Sequence, residues 1–184
     1  MMSGCLFVFV GASGVGKDSV LRCLKNRMPE LHIAKRVITR KQHTESEDYE
    51  SLSPEQFITQ LLEGAFIFHW RAHGVRYGIR KSVNDILQAG GNVAINGSRA
   101  ALEEMRAIYP ALHAISINVD LEVLEERLIA RGRENEDEIA ARLKRASQYQ
   151  VTNCHIIANN GALEEAVDQC ALLMKDLMRD VLSA

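Results

Sequence analysis

The sequence predicts an α/β fold in which a parallel sheet is flanked by helices, and three observations support this prediction. An apolar run, Leu6–Val10, is followed directly by a glycine-rich turn. A segment with helical spacing of apolar residues comes next. Strand-like and helix-like segments then alternate along most of the chain. Strands separated by helices pair in parallel through right-handed crossovers, so ligands are expected at the carboxyl ends of the strands.

Length and charge narrow the class of protein. The 184 residues suit one domain with small insertions, and we predict a single domain spanning 1–184. A formal charge of -2 gives no broad cationic field for nucleic acid or an anionic membrane. The amino-terminal apolar run is much shorter than the ~20 residues of a membrane span. We therefore expect a cytoplasmic protein without nucleic-acid or membrane partners, and leave its oligomeric state open between monomer and homodimer.

The first elements follow from residue type and spacing. Leu6–Val10 is rich in β-forming residues, which is typical of a buried parallel strand. Residues 17–26 place apolar side chains at helical spacing, with Pro29 just beyond the expected end. Residues 32–39 predict a second strand, and the polar stretch 40–48 predicts a loop.

The next segment departs from the β-α alternation. Ser53-Pro54-Glu55-Gln56 is a capping box with proline at the first helical position, and predicts a helix that Gly64 ends. Residues 66–72 and 75–79, around a His73-Gly74 turn, predict a hairpin or two short strands. Because about 35–80 breaks the alternation, we interpret that stretch as an inserted lobe.

The alternation then resumes to the end of the chain. Asp120 is the expected cap of one helix. The predicted segments are, in order, helix 81–89, strand 92–96, helix 98–109, strand 113–119, helix 120–131, helix 137–149, strand 155–158, turn 159–161 and a closing helix.

The glycine-rich turn matches G-x-x-x-x-G-K and lies where a phosphate-binding loop requires it, after a buried strand and before a helix. Glycines let successive backbone N–H groups point inward, and the helix N-terminus adds partial positive charge. A turn that binds nothing would explain the glycines but not the lysine. The predicted nucleotide-binding residues are Gly11, Ala12, Ser13, Gly14, Val15, Gly16 and Lys17.

The residue after the loop lysine is unusual. Where a Ser or Thr normally binds Mg²⁺, this chain has Asp18 followed by Ser19. A carboxylate is a good hard-oxygen ligand for Mg²⁺, so Asp18 is a candidate metal ligand. Two alternatives stay open: Ser19 supplies the hydroxyl, or Asp18 only favours the helix N-terminus electrostatically.

The whole chain resembles the guanylate kinase family, because four motifs occur in it in the same order as in that family. They are the phosphate loop, Ile38-Thr39-Arg40, the segment 74–78, and Arg131-Gly132-Arg133 followed by Arg142-Leu143. The resemblance implies a P-loop NTPase core, an acceptor-binding lobe at about 35–80 and a lid at about 132–141. It also implies that ATP and Mg²⁺ serve phosphoryl transfer to a small phosphorylated acceptor.

The resemblance assigns roles to particular residues. Lys17, Arg131 and Arg142 match catalytic positions, although the two arginines could instead form surface pairs with acidic residues of the same turn. Arg133 replaces a hydroxyl residue and is a further candidate contact. The remaining candidates are Arg40 and Tyr77 for the acceptor phosphate, Arg36 and Arg99 as additional acceptor residues, and Asn159 near the adenine pocket. Tyr77 could equally be core packing, Arg36 a solvated residue, and Asn159 part of an ordinary turn.

Several departures indicate a rebuilt acceptor site. Phe68 occupies the position of the family's guanine-reading Glu and cannot accept hydrogen bonds from a base. Residues 41–44 contain no counterpart of the family's second phosphate-binding Arg, and Asn96 replaces an acidic residue of a core strand. Three motifs, 16–19, 96–99 and 131–135, are most similar to a branch of the family that phosphorylates a sugar phosphate. The alternatives are a nucleoside monophosphate kinase and, from a different class, a non-catalytic interaction module.

Overall fold

The computed structural model describes residues 4–40, 48–72, 74–132, 134–148 and 151–183. Its strands are β1 Leu6–Val10, β2 His32–Ile33, β3 Arg36–Ile38, β4 Glu50–Ser51, β5 Phe66–Ala72, β6 Val75–Arg80, β7 Val93–Asn96, β8 His113–Asn118 and β9 His155–Ala158. Its helices are α1 Lys17–Arg27, α2 Pro54–Leu62, α3 Val83–Gln88, α4 Leu102–Ile108, α5 Leu121–Arg131, α6 Glu136–Gln148 and α7 Leu163–Ser183. One turn of 3₁₀ helix, Arg99–Ala101, precedes α4.

The central sheet has five strands in the order β2-β7-β1-β8-β9, and its neighbouring strands pair in parallel. The predicted α/β class is therefore confirmed. Helices connect these strands, so the loops that follow β1, β7, β8 and β9 meet at one edge of the sheet.

A second, mixed sheet of four strands is built from the stretch between residues 36 and 80, in the order β4-β3-β6-β5. The predicted hairpin forms one side of this sheet: β5 and β6 pair antiparallel, with β5 at the edge. Helix α2 begins with the predicted capping box: Ser53 Oγ accepts a hydrogen bond from the Gln56 amide, and the Gln56 side chain accepts one from the Ser53 amide. Strand β4 was not predicted, because it has two exposed residues and forms only by pairing with β3.

The prediction of one strand over residues 32–39 is wrong. The segment divides into β2, which joins the central sheet beside β7, and β3, which joins the second sheet beside β6. Between them Ala34 is buried and its amide donates to the Ala94 carbonyl oxygen at 2.9 Å. The chain thus leaves one sheet at Lys35 and enters the other at Arg36, although strand-forming residues continue through the break.

Strand β1 separates two apolar layers. Phe7 and Phe9 belong to a cluster that contains residues of α1 and α7, whereas Leu6, Val8 and Val10 belong to one that contains residues of α3, α4 and the β5–β6 hairpin. The inserted segment therefore shares part of its core with the central sheet. In the first layer, burial raises the pKa of the Cys170 thiol to about 12, so this cysteine is a neutral core residue.

Asp120 is the N-cap of α5, as predicted, but its side chain makes no capping hydrogen bond. Its carboxylate instead accepts a hydrogen bond of 2.9 Å from Asn160 Nδ2, and its amide donates to Asn160 Oδ1 at 2.8 Å. The Asp120–Asn160 pair fixes the loops after β8 and β9 to each other.

Candidate active site

The phosphate loop joins β1 to α1, and glycine is required where its backbone turns. Gly11, Gly14 and Gly16 all have positive φ angles, which residues with a side chain rarely adopt. A Cβ at Gly11 would lie 2.5 Å from the Ile117 carbonyl oxygen, and one at Gly16 would lie 2.7 Å from Asn159 Nδ2. The loop therefore packs closely on residues at the ends of β8 and β9.

Lys17 is the first residue of α1, and its side chain folds back over the loop. Its ammonium group donates hydrogen bonds of 2.9 and 3.0 Å to the carbonyl oxygens of Gly11 and Ala12. The positive end of the α1 dipole lies at the same place. Both features favour a bound polyphosphate.

Asn159 follows β9 and supports the loop from below. It is 3% exposed, and its Nδ2 donates to the Val15 carbonyl oxygen at 2.8 Å. It also borders a cleft of about 300 Å³ whose other lining residues include Gly14, Gly16, Ser19 and Arg131. This volume is in the range of small-molecule sites. Adenine binding at this cleft remains a prediction.

The lid arginines lie close to the loop. Arg131 ends α5 and Arg142 belongs to α6. Their Nη2 atoms lie 2.6 and 2.9 Å from the same oxygen, Oε1 of Glu134. Arg142 Nη1 also donates a hydrogen bond of 2.6 Å to Ser13 Oγ in the phosphate loop.

The alternative that Arg131 and Arg142 form only surface ion pairs is therefore correct in one respect and wrong in another. The arginines do pair with an acidic residue of the turn, but the side chain of that residue, Glu134, is only 7% exposed. The Arg142–Ser13 hydrogen bond further directs the pair at the phosphate loop. Arg133 lies outside the described residues.

Asp18 extends from the first turn of α1 toward β7. Its Oδ1 accepts a hydrogen bond of 2.5 Å from Nδ2 of Asn96, the last residue of β7, and lies 4.0 Å from Arg36 Nη2. The Asp18 side chain is 52% exposed, so solvent and ions reach it. Ser19 borders the 300 Å³ cleft and Asp18 contacts β7, so the two candidate metal ligands have different neighbours.

Two acceptor candidates, Arg36 and Tyr77, contact each other beside Asp18. The guanidinium carbon of Arg36 lies 5.3 Å from the centre of the Tyr77 ring, and Tyr77 stacks on Trp70 with ring centres 5.3 Å apart. The Arg36 side chain is only 14% exposed, so it is not a solvated surface residue. Arg36 therefore places a cation beside the Asp18 carboxylate, and Tyr77 packs between Arg36 and the core cluster that contains Trp70.

Arg40 lies farther along the lobe. Its guanidinium carbon is 5.2 Å from the centre of the Tyr49 ring, and its Nε donates to the Tyr49 hydroxyl at 3.5 Å. Residues 41–44, which lack the family's second arginine, lie outside the described residues. Phosphate binding by Arg40 and by Tyr77 remains a prediction.

Arg99 makes contacts that its sequence position did not indicate. Its guanidinium donates to the carbonyl oxygens of Ala146 and Arg145, at 3.2 and 3.4 Å, in the last turns of α6. It therefore fastens the helix that carries Arg142. Arg99 also borders a cleft of about 590 Å³ that includes Ala12, so its acceptor role stays a prediction compatible with its position.

Sequence reasoning missed Glu134 as a site residue because it counted it among the exposed acids of the turn. The signal was present in the spacing, since Glu134 follows Arg131 by three residues and precedes Arg142 by eight. It missed Trp70 because an aromatic residue in an apolar hairpin indicates core packing at least as strongly as a site.

The residues present fit a nucleotide with Mg²⁺. The closely packed glycines and the Lys17 ammonium suit the phosphates of a nucleotide, and the cleft beside the loop suits its base. Among the described residues, no group of three or more His, Cys, Asp or Glu side chains is placed to hold a metal ion. The accessible Asp18 carboxylate fits Mg²⁺, which is typically held by one or two carboxylates together with substrate phosphates and water.

Comparison with known proteins places these observations in a family. The guanylate kinase family model matches residues 3–177. Ribose 1,5-bisphosphate phosphokinase PhnN of Thiobacillus denitrificans is 42% identical over 181 residues, covering 96% of this chain and 95% of that protein. The protein of the same name from Pseudomonas fluorescens is 44% identical over 163 residues, covering 88% of this chain and 84% of that one.

Solved structures agree at the level of the fold. Guanylate kinase from Anaplasma phagocytophilum aligns with a TM-score of 0.73 at 18% identity, over 95% of this chain and 86% of that one. A gluconokinase from Sinorhizobium meliloti aligns with a TM-score of 0.57 at 15% identity, over 98% of this chain and 97% of that one. Among the described residues, no helix combines the length and apolar character needed to cross a membrane.

Proposed function

This chain belongs to the guanylate kinase family. Within that family, we propose that it is a ribose 1,5-bisphosphate phosphokinase. It transfers the γ-phosphoryl group of ATP to ribose 1,5-bisphosphate and forms 5-phosphoribosyl 1-diphosphate, a step of phosphonate breakdown. The identity of 42% over nearly the whole length of a relative with that name supports the choice of acceptor. The localisation we propose is cytoplasmic, and a homodimer remains the alternative to a monomer.

One geometric observation carries the proposal of phosphoryl transfer. Arg142 bonds to Ser13 in the phosphate loop and shares Glu134 with Arg131, so two guanidinium groups and the Lys17 ammonium lie around one loop. Transferring phosphoryl groups carry their charge on equatorial oxygens, which such cations stabilise. A non-catalytic interaction module would have no use for this arrangement.

The proposed chemistry requires little of the protein beyond alignment. An oxygen of the acceptor's 1-phosphate attacks the γ-phosphorus, and the bond from that phosphorus to the β,γ-bridging oxygen breaks, with its electron pair leaving on ADP. Because the attacking oxygen is already anionic, no strong general base is needed. Positioning and neutralisation of charge then set the rate.

We propose that the loop residues 11–17 hold the triphosphate, with Asn159 beside the base. Lys17 and the lid residues Arg131 and Arg142 neutralise the transferring group. Mg²⁺, when bound, would neutralise phosphate charge and orient the oxygens. Asp18 is the proposed protein ligand for it, since its carboxylate is accessible and Asn96 fixes its orientation.

For the acceptor, Arg36 and Tyr77 are the strongest candidates because they contact each other and Arg36 lies 4.0 Å from Asp18, and Arg40 and Arg99 are proposed as further contacts. The acceptor lobe corresponds to about 35–80 and the lid to about 132–141. A nucleoside monophosphate kinase is disfavoured by Phe68, which is 1% exposed and belongs to the core cluster shared with Leu6 and Val8. An apolar, fully buried side chain offers nothing to the edge of a base.

The decisive experiment is a product assay with purified protein, ATP, Mg²⁺ and a panel of acceptors: ribose 1,5-bisphosphate, GMP and other nucleoside monophosphates. We expect ADP and 5-phosphoribosyl 1-diphosphate to form in equal amounts with the sugar bisphosphate. The Lys17→Ala variant, purified in the same way, is the control for contaminating kinases. Rapid turnover of GMP alone would overturn the proposed acceptor while leaving the phosphotransferase assignment intact.

A further inference from the structure

We propose that Glu134 is a positioning residue that holds the two lid arginines together over the phosphate loop. The proposal rests on the proposed phosphotransferase function and concerns the same site. It starts from one atom: Oε1 of Glu134 lies 2.6 Å from Arg131 Nη2 and 2.9 Å from Arg142 Nη2. Both guanidinium groups thus converge on a single carboxylate oxygen.

Charge explains why such a residue is needed. Two guanidinium groups that share one partner repel each other, and their side chains are only 32% and 27% exposed, so water screens this repulsion incompletely. A carboxylate between them offsets the repulsion and fixes both at once. Without it, each arginine would be free to turn toward solvent. Phosphoryl transfer would then be slower, because both side chains would have to be positioned again before each reaction.

The arrangement also connects the lid to the loop. Arg142 uses Nη2 for Glu134 and Nη1 for Ser13 Oγ, so a continuous chain of contacts runs from Arg131 through Glu134 and Arg142 to the phosphate loop. The two arginines come from different helices, α5 and α6, and Glu134 lies in the short turn between them. It therefore sets how the lid meets the loop.

Burial separates Glu134 from the acidic residues that follow it in the first turn of α6. The Glu134 side chain is 7% exposed, and its Oε2 is buried without a hydrogen-bond partner among the described residues. Glu136 and Asp137 are exposed, and Glu138 accepts a hydrogen bond from the Asn135 amide at the start of α6. A carboxylate loses hydration when it is buried, and contact with both arginines is what offsets that loss here.

The test compares Glu134→Gln, which keeps the shape and removes the charge, with Glu136→Gln as the exposed control at the start of α6. We expect Glu134→Gln to lower kcat for ribose 1,5-bisphosphate about 10-fold or more, with KM values for both substrates changing less than about 3-fold, since pairwise couplings of contacting charges commonly have this size. Glu134→Asp, which keeps the charge, should restore part of the loss. Thermal melts of each variant identify any that fail to fold.

A double-mutant cycle distinguishes action through the arginines from a role of Glu134 in stabilising the fold alone. If Glu134 acts through the arginines, Glu134→Gln should cost much less in the Arg142→Ala background than in the unsubstituted protein. An equal cost in both backgrounds, or a Glu134→Gln kcat within twofold of the unsubstituted protein, would overturn the proposal. If Glu134→Gln fails to fold, the same cycle with Glu134→Asp decides by the same criteria.

Failure of the proposed function gives a different result. If the unsubstituted protein does not phosphorylate ribose 1,5-bisphosphate, the acceptor assignment fails. The cycle is then run on the acceptor that is turned over, or on slow hydrolysis of ATP. It still reports whether the arginines depend on Glu134.

Discussion

Asn96 donates a hydrogen bond of 2.5 Å to Oδ1 of Asp18, and so connects the end of β7 to the first turn of α1. In many P-loop proteins a hydroxyl residue on the helix and an aspartate on a neighbouring strand hold Mg²⁺. Here the carboxylate is on the helix and the amide on the strand. The negative charge is kept but moved, and the amide orients it.

This relationship predicts how Asp18 affects the metal. We expect Asp18→Ala to raise the Mg²⁺ concentration needed for half-maximal rate, because it removes the accessible carboxylate that we propose as a metal ligand. Ser19→Ala is the comparison, since Ser19 borders a different cleft. The measurement is a Mg²⁺ titration of rate at fixed ATP; an unchanged midpoint for Asp18→Ala and a raised one for Ser19→Ala would transfer the role to Ser19.

Lys17 is expected to be essential for turnover but not for folding. Its ammonium donates hydrogen bonds to two carbonyl oxygens of the loop, which places a cation where the phosphates are expected. Lys17→Ala should therefore lower kcat by about 10²–10³-fold or more. Lys144→Ala, at an exposed position of α6, is the matched control. Circular dichroism and thermal melts should be unchanged for both; near-normal turnover of Lys17→Ala would contradict the site.

The lid arginines should affect kcat far more than KM. Arginines that contact only the transferring group contribute about 10³–10⁵ in rate, whereas an exposed surface ion pair contributes ~0–1 kcal/mol to stability. We expect Arg131→Ala and Arg142→Ala each to lower kcat by at least two orders of magnitude. Arg145→Ala, exposed on α6, is the control. Steady-state kinetics decide, and a change confined to thermal stability would make the arginines structural.

Arg36 should act on the acceptor. Because it stacks on Tyr77 and lies 4.0 Å from Asp18, we expect Arg36→Ala to raise the acceptor KM about 10-fold or more while the ATP KM changes little. Arg71→Ala removes an exposed arginine of β5, two strands away in the same sheet, and should change neither. An increase of the ATP KM alone would move Arg36 to the nucleotide side of the site.

Local signals in the sequence were sufficient for the phosphate loop, the hairpin and the capped helix α2. Each depends on residues close together in the chain, such as Ser53 with Gln56. The division of residues 32–39 between two sheets could not be predicted in this way, because strand-forming residues continue through it. The break depends on partners far along the chain, with β2 pairing beside Val93 and β3 beside Gly78.

The site follows the same distinction. Sequence reasoning and the family resemblance proposed Lys17, Asp18, Arg131 and Arg142, and the structure brings the last two together through Glu134. They did not predict that Arg99 contacts the end of α6, since that bond spans 47 residues. Long-range partners of charged side chains depend on the assembled fold.

Phe68 provides a test of the acceptor lobe that does not use activity. Its side chain is fully buried, pairs in register with Ile79 and packs in the cluster that contains Leu6 and Val8. Phe68→Ala should therefore lower the free energy of unfolding by about 3–5 kcal/mol, as expected for a buried aromatic side chain. His69→Ala, at the next and exposed position of β5, should change it by less than about 0.5 kcal/mol. Urea denaturation measures both, and a loss below about 1 kcal/mol for Phe68→Ala would mean that this side chain faces the acceptor cleft instead of the core.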